Sequence, residues 1–326
     1  MARIIVLEDI EATADGMDLR SRLSALVPTS VQLDFGRSQP DRAMLALRLV
    51  DAVVSRFAGA RFAVTGRRAV RRLLSGHLHA TGARLSSAAP SLVVDVAPGV
   101  RQHSEWIEGA PPVLRVASVP YPGRRQHAAE HWLDSARAAG LLPERGSPCL
   151  RIPKASVRAA HGLLRDLAPS TPVVILAPRS NGWSAESYVR LAQQLEARLG
   201  ARVLTLRPLD GIRRLEHDDP LVLAAAARLA SVVVGDAGGY CDIAAVSAAA
   251  VVALHGRTSS ARYGPTSRLS ASVLARCKLP EEHHASPSRE LRCLRCLGVR
   301  PVLETTEELA ARRWPWDRLA RWIGEA

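Results

Sequence analysis

From Gly235 to Gly239 the chain reads Gly-Asp-Ala-Gly-Gly, directly after the run Val232-Val233-Val234. A β-branched run of that kind marks a strand buried in a parallel sheet. The small, alanine-rich residues Ile243 to Ala249 predict a tightly packed helix, and Ala250 to Leu254 a second buried strand. A strand, a glycine turn and a helix in that order bring free backbone N–H groups to one point, which suits a phosphate. Gly238 and Gly239 are the candidate backbone contacts, with a plain tight turn as the alternative. Asp236 beside them can hold a ribose hydroxyl or a cation, or simply stabilise the turn.

A second cluster lies late in the chain. Cys293 and Cys296 form a Cys-x-x-Cys pair, with Cys277 and His283-His284 upstream. Thiolates at that spacing bind zinc or iron. Three sulfurs need a histidine to complete four ligands. A structural Zn or Fe site at Cys277, Cys293 and Cys296 therefore stands against reduced, structural thiols. Five cysteines, an odd number, do not make a disulfide framework.

The elements that must position these residues alternate. Arg3 to Leu7, Val31 to Phe35, Arg61 to Thr65, Leu92 to Val96 and Val113 to Val119 read as strands. Between them, Leu19 to Leu26, Met44 to Phe57, Arg68 to Leu74 and Gln126 to Ala139 read as helices, with a short helix expected over His103 to Glu108. Leu141 to Ala155, rich in Pro and Gly, is the linker candidate. Beyond it, strands at Val173 to Ala177, Arg202 to Leu206 and Ser270 to Ala275 alternate with helices at Ser156 to Leu167, Ala185 to Leu199 and Leu221 to Leu229. A last helical pattern runs from Glu307 to Ile323. Such alternation gives parallel sheets with both faces covered. At 326 residues two cores are expected rather than one. The fold class is α/β, with two doubly wound Rossmann-like domains facing across a cleft, the architecture of GT-B glycosyltransferases. The expected domains are residues 1–145, residues 146–306, and a C-terminal helix over 307–326 that packs back on the first.

The formal net charge is +13, carried by arginine, since Lys154 and Lys278 are the only lysines. The arginines are scattered, and aromatic residues make up 4%, too few for the stacking surfaces of a single-strand binder. An anionic substrate or a membrane inner face fits better than nucleic acid. No apolar run approaches the ~18–20 residues of a membrane span, and Met1-Ala2-Arg3 does not open a secretory signal. A cytoplasmic protein is expected, with peripheral contact at the inner membrane. The segment Trp314 to Ile323 reads either as a membrane-surface helix or as part of the C-terminal crossover.

Several stretches resemble the heptosyltransferase-like glycosyltransferases, family nine. Gly235-Asp236-Ala237-Gly238 fits that family's Asp-Ser/Thr-Gly turn, and Ala244-Ala245 and Val251 to Leu254 fit the helix and strand behind it. His255-Gly256-Arg257-Thr258, closing at Gly264-Pro265, is similar to its loop. Pro178 to Trp183 resembles its Pro-Gly…Lys-x-Trp segment, and His127 to Leu141 its His-headed helix. The match is strongest from Val173 to Pro265. The chain departs from the pattern at three places. Asn181-Gly182 stands where a lysine precedes the tryptophan, Cys241 or Asp242 stands near a missing histidine, and the N-terminal Gly-Asp is not intact.

The resemblance implies an inverting transfer from a nucleotide-sugar, ADP-linked and heptose-like. The acceptor would be an anionic glycolipid such as lipopolysaccharide, a protein or a small molecule. Such a transfer needs a carboxylate to take the acceptor proton and positive groups to hold the leaving diphosphate. Asp15 is the implied base, with Asp9 and Asp18 as rivals and a turn or cap role as the alternative. The implied donor contacts are Arg179, Trp183, Asp236, Gly238, Gly239, Asp242, Gly256 and Thr258. Arg179 replaces the missing lysine with a planar fork suited to phosphate. Trp183 flanks the donor or packs as a core indole. No cofactor is required for the chemistry. The alternative is a catalytically degenerate GT-B protein that binds a nucleotide-sugar or a protein partner.

Overall fold

The strands of the second half are apolar on both faces, and the packing shows why. The computed structural model describes residues 4–6, 27–36, 38–96, 113–115, 127–138, 141, 147–167, 171–180, 182–256, 260–275 and 293–313. Strands β7 (Val173–Ala177), β10 (Val232–Asp236) and β11 (Val251–His255) pair in parallel at the centre of a sheet. Successive side chains on a strand point to opposite faces. Val173, Ile175, Val233, Val251 and Ala253 accordingly pack on one side. Val174, Leu176, Val232, Val234, Val252 and Leu254 pack on the other. Helices cover each layer. The first is closed by residues of α5 (Lys154–Leu164), α7 (Pro220–Leu229) and α8 (Tyr240–Val246). The second is closed by α6 (Ala185–Leu199) and α10 (Val299–Arg313).

The chain divides into two units, Met1–Arg151 and Ile152–Ala326. In the second unit β8 (Arg202–Thr205) and β9 (Arg213–Arg214) lie beyond β7, and β12 (Ser270–Leu274) lies beyond β11. The order β12-β11-β10-β7-β8-β9 is that of a doubly wound nucleotide-binding sheet, with its switch point between β7 and β10. The first unit holds β1 (Ile4–Val6), β2 (Ser30–Asp34), β3 (Arg61–Thr65), β4 (Arg84–Leu85), β5 (Leu92–Asp95) and β6 (Val113–Arg115). They are all parallel, in the order β1-β6-β5-β2-β3-β4. Its sheet reverses direction between β2 and β5.

Element limits differ from the sequence expectations at instructive places. The helix expected over Met44 to Phe57 is two, α1 (Pro40–Leu45) and α2 (Leu47–Arg56), because Pro40 starts a turn early and Ala46 leaves helical geometry at ψ 3°. Next in order come α3 (Arg68–Ala80) and α4 (Ala128–Ala138). Helix α8 opens at Tyr240 rather than Ile243, because Gly239 at φ 56° turns the chain before it. A short helix α9 (Ser260–Tyr263) follows β11. The last helix starts at Val299 rather than Glu307, and Val302, Leu303, Thr306, Leu309 and Ala310 form its buried face. Residues 307–313 are thus the second half of a helix in the second unit's core. The segments around Leu19 to Leu26, His103 to Glu108 and Trp314 to Ile323 lie outside the described residues. No helix among the described residues is long and apolar enough to cross a membrane.

Candidate functional site

At the switch point the carboxyl ends of β7 and β10 lead into two loops. After β7 comes Pro178 to Trp183, and the Gly182 N–H donates to the Arg179 carbonyl at 3.2 Å, which folds the loop back on itself. After β10 comes the turn Ala237-Gly238-Gly239. Its glycines stand at φ 82° and 56°, a region that side-chain-bearing residues rarely enter. Asp236, the last residue of β10, joins the loops. Its Oδ2 accepts the Arg179 N–H at 2.7 Å and its Oδ1 accepts the Trp183 N–H at 3.0 Å. The carboxylate is 1% exposed.

The side chain of Arg179 is exposed and crosses to the second loop, where its guanidinium donates to the Ala237 carbonyl at 3.1 Å. One cation therefore lies over the glycine turn at the switch point. This is where doubly wound sheets bind their ligands. Helix α8 has only 7 residues, and the Arg179 guanidinium brings a full positive charge to the turn before it.

The surroundings of Asp236 are dry. Burial pushes its carboxyl up, against the opposing pull of the Trp183 and Arg179 N–H bonds, Tyr188 and the Arg179 charge. Burial, then the Asp236 carboxylate and Cys241, push the Tyr188 phenol well up. Among the described residues the Tyr188 hydroxyl meets no partner at hydrogen-bond geometry, although it neighbours that carboxylate. Burial, then Asp242 and Asp236, push the Cys241 thiol well up, which favours its protonated form.

Trp183 is 2% exposed, its indole N–H donates to the Leu297 carbonyl at 2.8 Å, and its ring meets Tyr188 edge-on at 4.9 Å. Its indole is a packed core side chain, and what it lends the site is its backbone N–H. Asp242 is buried in the first turn of α8. Gly256 is buried just past β11. Thr258, Asp15 and Cys277 lie outside the described residues. His127 Nδ1 accepts the Ala129 N–H at 3.1 Å and opens α4 as a cap.

Cys293 is buried just before a short 3-10 turn over Leu294–Cys296, and Cys296 is exposed at its end. Among the described residues no group of three or more His, Cys, Asp or Glu could hold a metal ion. Cys277, His283 and His284, the other candidate ligands, lie outside the described residues.

Some residues at the two switch points were not singled out from sequence. Tyr188 and Gly182 are two. In the first unit Asp34 and Asp95 stand in register at the carboxyl ends of β2 and β5. Asp34 Oδ1 is occupied by the Thr65 hydroxyl at 2.8 Å and the Gly36 N–H at 2.9 Å. The available signal was an acid closing an apolar strand, as in Leu92-Val93-Val94-Asp95. A cavity of about 640 Å³ lies at the opposite edge of that sheet, by Arg56, Arg61 and Arg84, away from the sheet's own switch point.

No family model and no curated protein matches the chain. Solved structures do. A glycosyltransferase of family 9 from Veillonella parvula matches with a TM-score of 0.64 at 12% identity, covering 87% of this chain and 97% of that one. The E. coli ADP-heptose lipopolysaccharide heptosyltransferase II matches with a TM-score of 0.62 at 16% identity, covering 87% and 99%. The iron-containing dodecameric heptosyltransferase TibC, in complex with ADP-D-β-D-heptose, matches at 0.56 and 14% identity, covering 86% and 76%. The chain thus has the α/β fold of GT-B glycosyltransferases, two doubly wound units in one polypeptide.

Proposed function

We propose that the protein is a glycosyltransferase that takes its sugar from a nucleotide-sugar bound at the switch point of the second unit. One observation carries this reading. The Arg179 guanidinium and the Gly238-Gly239 turn stand together at the carboxyl edge between β7 and β10. A planar cation beside the backbone of a tight glycine turn is what a leaving diphosphate needs. Gly256, Asp242 and Thr258 complete the proposed donor side, and Asp236 and Trp183 support it from below. An ADP-linked, heptose-like donor is supported by the ADP-heptose named for the similar structures. The transfer is inverting, with a carboxylate of the first unit as base, Asp15 by resemblance. The acceptor is a glycolipid such as lipopolysaccharide core, a protein or a small molecule. The protein works in the cytoplasm, at the inner membrane surface if the acceptor is a lipid. A structural metal at the late cysteines would need Cys277 and a further ligand.

The test is transfer or donor hydrolysis with a panel of nucleotide-sugars, ADP-heptose included. Wild type is compared with Asp15→Ala and Arg179→Ala. Turnover lost in Asp15→Ala, and donor affinity lost in Arg179→Ala, support the reading. Binding of no nucleotide-sugar by wild type would sink it.

A further inference from the structure

Asp236 occupies the place where a ligand-binding acid is expected, yet its carboxylate is turned inward. It is 1% exposed, and each of its oxygens is already taken by a backbone N–H of the loop after β7. Gly182 closes over it. A Cβ there would lie 2.0 Å from Oδ2 and 2.6 Å from Oδ1, so the loop passes this carboxylate only as glycine. On the far side Trp183 is anchored through its indole to the Leu297 carbonyl. The loop is therefore pinned on both sides of Gly182. From the pinned backbone of Arg179 the side chain reaches over the glycine turn to the Ala237 carbonyl.

We infer that Asp236 is a positioning residue. It acts through the Arg179 and Trp183 N–H groups to hold the Arg179 arm over the glycine turn, and the arm exchanges the Ala237 carbonyl for the diphosphate of a bound nucleoside diphosphate. The inference rests on the nucleotide reading above. Burial of the carboxylate strengthens its two N–H bonds, because the medium around them is poorly screening. The backbone is thereby fixed while the guanidinium, exposed at its tip, moves from one acceptor to another.

Two measurements on the full chain separate this from direct contact. Hydrogen exchange reads the clamp. Peptides spanning Arg179 to Trp183 should exchange at least about tenfold faster in Asp236→Ala and in Gly182→Ala than in wild type. Asp236→Asn, which keeps one acceptor oxygen, should fall between. Calorimetric titration with ADP reads the arm. Asp236→Ala and Arg179→Ala should each bind ADP about tenfold more weakly than wild type, and the double variant no more weakly than Arg179→Ala alone. Losses that multiply, to about a hundredfold, would show Asp236 meeting the nucleotide itself and would overturn the inference. Unchanged exchange at Arg179 and Trp183 would overturn it as well. If wild type binds no ADP, the nucleotide reading and the role of the arm fail together, and exchange still decides the clamp. If Asp236→Ala does not fold, Gly182→Ala and Asp236→Asn carry the same measurements.

Discussion

Gly182 and Asp236 are packed so closely that a single added carbon does not fit between them, since a Cβ on Gly182 would stand 2.0 Å from the carboxylate. The Gly182→Ala variant must push the carboxylate away from the Arg179 and Trp183 N–H groups. Overpacking of this kind costs about 1–3 kcal/mol, and the broken N–H bonds to a buried carboxylate add to it. Thermal unfolding should show the second unit melting about 5–10 °C lower. An unchanged melting point would mean that the loop yields without strain.

Asp236 also sets a pH dependence. Burial holds its folded carboxyl above the usual carboxylate value, so the folded state keeps its proton to higher pH than the unfolded chain does. The native state then binds more protons than the unfolded state once pH exceeds about 3.9, the unfolded value. The contribution of Asp236 to stability therefore declines as pH rises from there through the folded value, and it recovers as pH falls. Urea unfolding across mildly acid pH should show wild type losing stability relative to Asp236→Asn as pH rises. The opposite slope would mean that the N–H bonds outweigh burial.

How much of this was legible in the sequence depended on periodicity. The β-branched runs Val173 to Ala177 and Val232 to Val234 marked the central strands of the second sheet, and Ala185 to Leu199 marked its helix to the residue. Pattern works there because both faces of the sheet are buried and Ser184 and Gly200 cap the helix in recognisable ways. The site was legible only as a neighbourhood. Asp236, Arg179 and Gly238 were placed together by motif, but the direction of a carboxylate is tertiary information. Nothing local states that Oδ2 accepts from a residue 57 positions away. The two-residue strands β4 and β9, with exposed Arg84, Leu85, Arg213 and Arg214, carry no apolar pattern at all.

His77 is a candidate for a structural rather than a catalytic role. It is 0% exposed on α3; its Nδ1 accepts the Arg151 N–H at 3.0 Å, and its Nε2 meets Asp51 Oδ1 at 2.8 Å. An accepting Nδ1 requires the proton on Nε2, which then donates to Asp51. The ring therefore ties α2, α3 and the last residue of the first unit. His77→Ala leaves a buried gap and the Arg151 N–H without its acceptor. It should cost the first unit about 2–4 kcal/mol. Denaturant unfolding followed by hydrogen exchange in α2 and α3 checks this, and a loss below about 1 kcal/mol would leave the triad energetically idle.

The end of α8 makes the last case. Ala248 stands at φ 62°, a left-handed position that costs a non-glycine residue about 1 kcal/mol. The Ala249 N–H returns to the Ala244 carbonyl at 3.0 Å and the Ala248 N–H to Ala245 at 3.1 Å, the two bonds of a Schellman motif, in which glycine is the usual residue. Arg313, near the end of α10, steadies it by donating to the Ala248 carbonyl at 3.0 Å and to the Arg228 carbonyl of α7. Burial, then the charge of Arg228, lower its guanidinium to about 10, so it remains a cation at neutral pH and suits two helix C-termini. Two opposite changes follow from one contact. Ala248→Gly should raise stability by about 0.5–1 kcal/mol, because glycine accepts the left-handed position without strain. Arg313→Ala should lower it by about 1–3 kcal/mol by leaving two carbonyls without their donor. Arg313→Lys should restore little, because a point charge on a flexible stem does not span both carbonyls as a planar fork does. Equilibrium unfolding of the three variants measures all of this together, and a destabilised Ala248→Gly would show that the alanine methyl makes contacts worth more than the strain it carries.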